Sequence, residues 1–160
     1  MKPAPVNLLE YFVTDLALSA NPDFAPDRAI ESKEGDFDVK IRQQPAPKET
    51  SDHRWQVTVE IIHQAAKGTN FPYAFRIVMV GFFKAESWVK PEDEERTVQI
   101  QGASVLFSMA REIVRAMTGR GPHRPVILPT VSFYEQKPTT AEPQASAVAP
   151  TPKKRTKKAT

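Results

Sequence analysis

Cysteine does not occur in this 160-residue chain, which removes disulfides, thiolate metal sites and cysteine chemistry together. Histidine is scarce, and His53, His63 and His123 have no metal-ligand spacing; neither a metal nor a cofactor is expected. No Gly-x-Ser-x-Gly elbow accompanies the adjacent Asp52 and His53, so nothing completes a nucleophilic triad and no enzymatic activity is expected. The six glycines build no phosphate loop, because Gly119 and Gly121 flank Arg120 without a following Lys-Ser or Lys-Thr. Long hydrophobic runs are missing as well. The richest, "AFRIVMVGFF", is too short to span a bilayer and contains Arg76, and "MKPAPVNLLEYF" has no signal-peptide core. A cytoplasmic protein without a membrane span is the expectation.

What is present is an ordinary globular mixture, 40% hydrophobic and 26% charged, of a length that suits one domain. Its charge is unevenly placed. From Lys137 onward there are six basic residues against Glu142 alone, a local charge of +5 within a net +3. That stretch also holds four prolines and no aromatics, too little apolar surface to offset the entropy of ordering it. We therefore expect a domain over 1–136 and a disordered, basic, Pro/Lys-rich tail over 137–160. The run "KKRTKK" reads either as a solubilising segment or as a contact for nucleic acid or an anionic surface.

Period-2 alternation predicts four strands. Phe12 to Ser19 sets Phe12, Leu16 and Leu18 against Asp15 and Ser19; Phe37 to Arg42 sets Phe37, Val39 and Ile41 against Asp38, Lys40 and Arg42. Trp55 to His63 continues the period through Val57, Val59 and Ile61, which leaves His63 as a satisfied or partly buried imidazole at the end of an apolar stripe. Phe71 to Lys84 is apolar on both faces, the mark of a central strand or of one that meets a partner. The polar, proline-bearing linkers favour an antiparallel meander. After "KPEDEERT", where Glu92 to Glu95 read as a solvated turn or the first turn of a short helix, the period changes. Val105, Leu106, Met109, Ile113, Val114 and Met117 recur at helical steps, and Gly119 stands where a left-handed C-cap belongs. The class is α+β, a four-stranded antiparallel sheet with one long helix on one face.

The segments "FPYAFRIVMVGFF" and "ASVLFSMAREIVRAMTGRGPHRPVILPTVSF" resemble the SecB export chaperones. The resemblance is carried by Gly81, Phe82 and Phe83 at the strand end and by Leu106, Phe107, Ala110, Arg111 and Glu112 on the helix. Arg120 and Gly121 follow at its exit, with Leu128, Val131 and Phe133 in the extended segment beyond; "FVTDLALSANP" is similar to the family's first strand. The resemblance implies a dimer of dimers that holds unfolded polypeptides or preproteins in hydrophobic grooves without ATP and passes them to the SecA motor. Carried onto this chain, the client-binding groove is Phe71, Tyr73, Phe82, Phe83, Phe107, Val126, Leu128, Val131 and Phe133, and the motor-docking acid is Asp15.

Three departures stand beside it. Pro138 follows Phe133 so closely that the family's second, C-terminal helix is expected to be short or absent. The strand that carries an acid for SecA docking in the family reads Arg76, Ile77, Val78, Met79 here, and the tail is basic. A SecB-like platform with another partner, an antitoxin-guarding chaperone or a nucleic-acid contact through the tail, is the alternative function.

Overall fold

The alternating segments assemble into one antiparallel sheet in the computed structural model, which describes residues 3–31, 37–46, 53–64 and 68–134. Its elements are β1 (Val6–Ala20), β2 (Phe37–Pro45), β3 (Arg54–His63), β4 (Tyr73–Ala85) and α1 (Pro91–Thr118). The strand order is β1-β4-β3-β2. The expected simple meander holds for β2, β3 and β4 only. β1 crosses to pair with β4, because a strand apolar on both faces needs a neighbour on each side and the long 21–36 connection lets the chain travel there. Asn70 ties that connection down. Its side chain accepts from Ala25 N at 2.9 Å and donates to Ala25 O at 3.1 Å and Ala29 O at 2.9 Å, fixing the backbone of a loop that would otherwise have no ladder to join.

β1 is longer than expected, and its parity reading fails at one point. Register shifts fall between Leu8 and Glu10 and between Val13 and Asp15. Each inserts one residue and so exchanges the faces of everything beyond it. Phe12 therefore pairs with Val80, and Asp15 with Val78, on the open face of the sheet, whereas Leu16 and Leu18 pair with Ile77 and Phe75 on the face that α1 covers.

The helix also begins earlier than its apolar period announces. α1 runs for 28 residues from Pro91, about 42 Å at 1.5 Å per residue. The acidic run is thus its first turn, where Glu92, Asp93 and Glu94 oppose the positive end of the helix dipole and proline fits without losing a donor. Glu94, Gln99, Gly102 and Ala103 are buried there with only Val98 and Ile100 as large apolar residues, so the contact stripe of this half is mostly small or polar and gives a weak apolar signal. Gly102 shows why. A Cβ on it would lie 3.0 Å from Val57 and 3.2 Å from Phe83, so glycine is what lets the helix approach the sheet. At the other end the helix stops at Thr118, but Gly119 is right-handed (φ −69°) instead of the left-handed cap expected. The last carbonyls are taken by Gly119 N, and by the Arg120 guanidinium donating to Ala116 O at 3.0 Å.

From Pro122 the chain returns extended along α1, and through Tyr134 no second helix forms. The tail, 137–160, lies outside the described residues. The core sits between the sheet and this second layer: Val57, Val59, Ile61, Ile77, Met79 and Phe83 below, Val98, Leu106, Ala110, Val114, Val126, Leu128 and Phe133 above.

Candidate functional site

Most of the residues assigned to the groove are inside the chain's own core. Phe71, Tyr73, Phe83, Phe107, Val126, Leu128 and Phe133 are buried; Phe82 and Val131 keep partial exposure. Their contacts explain the burial. The Tyr73 hydroxyl donates to Thr118 O at 3.0 Å and accepts from His123 N at 3.0 Å, and Val126 N donates to Thr118 Oγ1 at 2.9 Å. Phe133 meets Phe107 edge to face, centroids 5.7 Å apart. Phe71 lies tilted against His63, whose ring stacks on Phe75 beside Phe37 and whose Nδ1 lies 3.1 Å from Tyr73 O. These contacts pin the return segment to the helix exit and leave the core faces of both occupied.

The apolar surface that the fold leaves outside is elsewhere. On β1, Leu9, Tyr11, Phe12, Val13 and Leu16 are all between 40% and 47% exposed. Tyr11, Val13 and Leu16 pair with Gly81, Met79 and Ile77; they belong to the helix-side face, yet α1 does not reach across to cover them. The helix has exposed apolar side chains of its own at Val105 and Met117. On the return segment Ile127 and Tyr134 point outward at 67% and 68% exposure, next to the inward Val126, Leu128 and Phe133. None of Leu9, Tyr11, Val13, Ile127 and Tyr134 is picked out by the sequence reading. The signal was present: "NLLEYFV" is apolar at both parities, and "VIL" offers three apolar residues where an extended chain buries alternate ones.

The open face of the sheet is the third surface. Phe12 and Phe82 meet edge to face there, centroids 6.4 Å apart. Beyond them Arg76 on β4 is ion-paired to Asp15 on β1 and, at 2.8 Å, to Glu60 on β3. Asp15 thus stands half exposed with its carboxylate already engaged. Lys40 pairs with Asp38 at 3.0 Å, and the hydrogen bond and charge of that carboxylate raise the Lys40 pKa above its ordinary value.

One buried carboxylate fastens the start of α1. Glu94 accepts the Trp55 indole N–H at 2.6 Å and lies 2.7 Å from His53 Nδ1, His53 being held at a positive φ of 66°. Glu94 is 7% exposed. Replacing it with alanine leaves the indole N–H without its acceptor, and we expect a loss of about 2 kcal/mol in urea unfolding; Glu94→Gln, which keeps an acceptor oxygen, should recover part of it. An unchanged midpoint in Glu94→Ala would show that the pair holds nothing.

Among the described residues no group of His, Asp and Glu gathers as metal ligands would, and no helix is long and apolar enough to cross a membrane. The sequence profile of the family described as "Preprotein translocase subunit SecB" matches residues 2–139. A protein of Bradyrhizobium sp. named Protein-export protein SecB is 27% identical over 145 residues, covering 91% of this chain and 87% of that protein. One of the same name from Acidithiobacillus ferrooxidans is 25% identical over 118 residues, covering 72% and 78%. Among solved structures, a SecB-like chaperone of Mycobacterium tuberculosis in complex with an antitoxin peptide superposes with a TM-score of 0.54 at 16% identity, over 81% of this chain and 89% of that one. That likeness is one of fold.

Proposed function

The chain belongs to the SecB family of protein-export chaperones and is not an enzyme, and from that premise we propose that it holds unfolded polypeptides on the outward face of its return segment. Ile127 and Tyr134 carry the proposal: two large apolar side chains, each about two-thirds exposed, on a segment whose other face is locked into the core. Such residues gain by meeting an extended, apolar chain, and nothing in that contact needs a nucleotide. The test is dilution of a chemically unfolded protein into buffer with substoichiometric chaperone and no ATP. Suppression of light scattering is expected; scattering unchanged, or suppressed only when ATP is added, would refute the holdase.

The second part of the proposal is assembly. β1 is an edge strand of 15 residues whose outer backbone edge pairs with no strand among the described residues, and it has an uncovered helix-side row. Two copies meeting along it would extend the sheet and cover Tyr11, Val13 and Leu16 in an isologous contact. The exposed Val105 and Met117 of α1 then offer a second surface through which such dimers form a homotetramer. On this reading the protein works in the cytoplasm, and its clients are preproteins bound for the SecA motor.

A second reading, a dedicated chaperone of the antitoxin-guarding kind, is favoured by one observation: the Asp15 carboxylate is taken up by Arg76 instead of standing free for a motor. Stimulation of SecA ATPase by chaperone with bound preprotein separates the two; none is expected on the second reading.

The basic tail is assigned no part in client holding. Truncation after Gln136 should leave thermal midpoint, oligomeric state and holdase activity unchanged while abolishing any binding of labelled duplex. If the tail's six basic residues meet phosphates, that binding should weaken with a log–log salt slope of roughly −4 to −5. A truncated protein that keeps its fold and loses its client would make the tail the working surface.

A further inference from the structure

Three cations on the open face of the sheet, Arg42, Arg54 and Lys84, form no ion pair among the described residues, whereas Lys40 is matched by Asp38 and Arg76 by Asp15 and Glu60. Arg54 and Lys84, moreover, stand directly opposite each other across β3 and β4. Like charges in that position repel and weaken a sheet; Glu86, which accepts from the Asn7 amide opposite Lys84, and Glu10 in the next row lie near Lys84, yet neither forms an ion pair with Lys84 or Arg54. An anionic group from outside would offset the repulsion.

The floor between the cations is uncharged on β2, β3 and β4, with Phe82 and Val80 as its apolar members beside Gln44, Gln56 and Thr58. Phe82 lies opposite Gln56 in the row after Arg54 and Lys84, and Val80 opposite Thr58 in the row after that. Arg42 completes that second row as the partner of Thr58. Phe12, half exposed, leans edge-on against Phe82. Side chains on one face of a strand recur about every 6.8 Å, so the Arg54 and Arg42 rows are roughly 14 Å apart. An extended chain covers that span in four residues, and it too turns alternate side chains to one side.

We propose that this half of the open face docks an extended acidic segment of a partner protein, with the pattern acid-x-apolar-x-acid. The outer carboxylates meet the Arg54 and Lys84 pair at one end and Arg42 at the other, and the central apolar side chain rests on Phe82. A polynucleotide suits the surface less well, because Glu10 shares the Phe82 row and would face its phosphates. The contact is independent of client holding, which uses the other layer of the molecule.

The probe is a short fluorescein-labelled peptide carrying Glu-Ser-Phe-Ser-Glu, titrated by anisotropy against the full chain at low and high salt, with Lys-Ser-Phe-Ser-Lys as its control. The acidic peptide alone should bind, and more weakly at high salt. The triple variant Arg42→Gln, Arg54→Gln, Lys84→Gln removes a repulsion and should fold normally, with holdase activity intact, yet bind the acidic peptide about tenfold more weakly. Glu10→Gln should tighten binding by a factor of about two to five. The tail is common to every variant, so the differences read the face. Equal affinity for the triple variant and the parent overturns the proposal, and so does no binding at all to the parent. A single-stranded oligonucleotide that loses more affinity than the peptide in the triple variant assigns the face to nucleic acid and overturns it as well.

Discussion

Tyr11→Glu combined with Val13→Glu is expected to convert the assembled protein into a monomer of 17.9 kDa without unfolding it. Both side chains lie on the helix-side face of β1, 44% and 40% exposed in the single chain, so a carboxylate there meets water when the protomer is alone. In an edge-to-edge pair of β1 strands the same carboxylates would be desolvated, and the two-fold axis places each substitution in the interface twice. Several kcal/mol of uncompensated burial, counted on both sides, should weaken association by a thousandfold or so at least. Sedimentation at micromolar concentration reads the result directly. A variant that still assembles, with a normal circular dichroism spectrum, would move the interface away from β1. A parent protein that sediments as a monomer would remove the assembly proposal altogether.

The second large effect separates the two faces of the return segment. Ile127→Ser with Tyr134→Ser should weaken client binding by roughly a hundredfold, since each exposed anchor in such a contact is typically worth 1–3 kcal/mol, while leaving the thermal midpoint where it was. Val126→Ser with Leu128→Ser should do the reverse in order of events. Those side chains are 5% and 1% exposed, so the change hollows the core, costs on the order of 4 kcal/mol or more, and lowers the midpoint before any effect on binding can be read. Ile127 is a single residue step from Val126 and Leu128 along an extended chain, and that step decides whether a substitution touches stability or function. If the outer pair destabilises as much as the inner one, the return segment is not a two-faced strap.

The same single-step sensitivity explains what could be read from the residues beforehand. β2, β3 and β4 were legible because their alternation is unbroken: Phe37, Val39 and Ile41, then Val57, Val59 and Ile61, then Phe75, Ile77 and Met79 all face the helix. β1 was legible as a strand but not in its faces, because two bulges shift its parity and a bulge has no signature when both parities are apolar. The first half of α1 escaped for the opposite reason. Where a helix lies close on a sheet, several of its contact residues are small or polar, here Gln99, Gly102 and Ala103, and the two large apolar ones, Val98 and Ile100, are too few to set a hydrophobic period. The family resemblance identified the fold and the kind of function, but not which apolar residues stay outside. Phe82 and Phe83 are adjacent and identical in type, and only the register decides that Phe83 is buried against α1 while Phe82 looks out from the open face. The engagement of Asp15 by Arg76 was likewise invisible, because it joins β1 to β4 across a pairing that the linkers did not announce.

Where an unfolded chain lands on the protein is the most direct question to ask. A photo-crosslinking residue placed singly at position 127, 134, 88 or 155, with a labelled, chemically unfolded client added in the absence of nucleotide, answers it. Crosslinks are expected from 127 and 134 and not from 88, where Trp88 is 57% exposed but lies in the turn between β4 and α1, nor from 155 in the tail. Crosslinks from 155 with none from 127 or 134, or an even yield from all four positions, would contradict the assignment of client holding to the return segment.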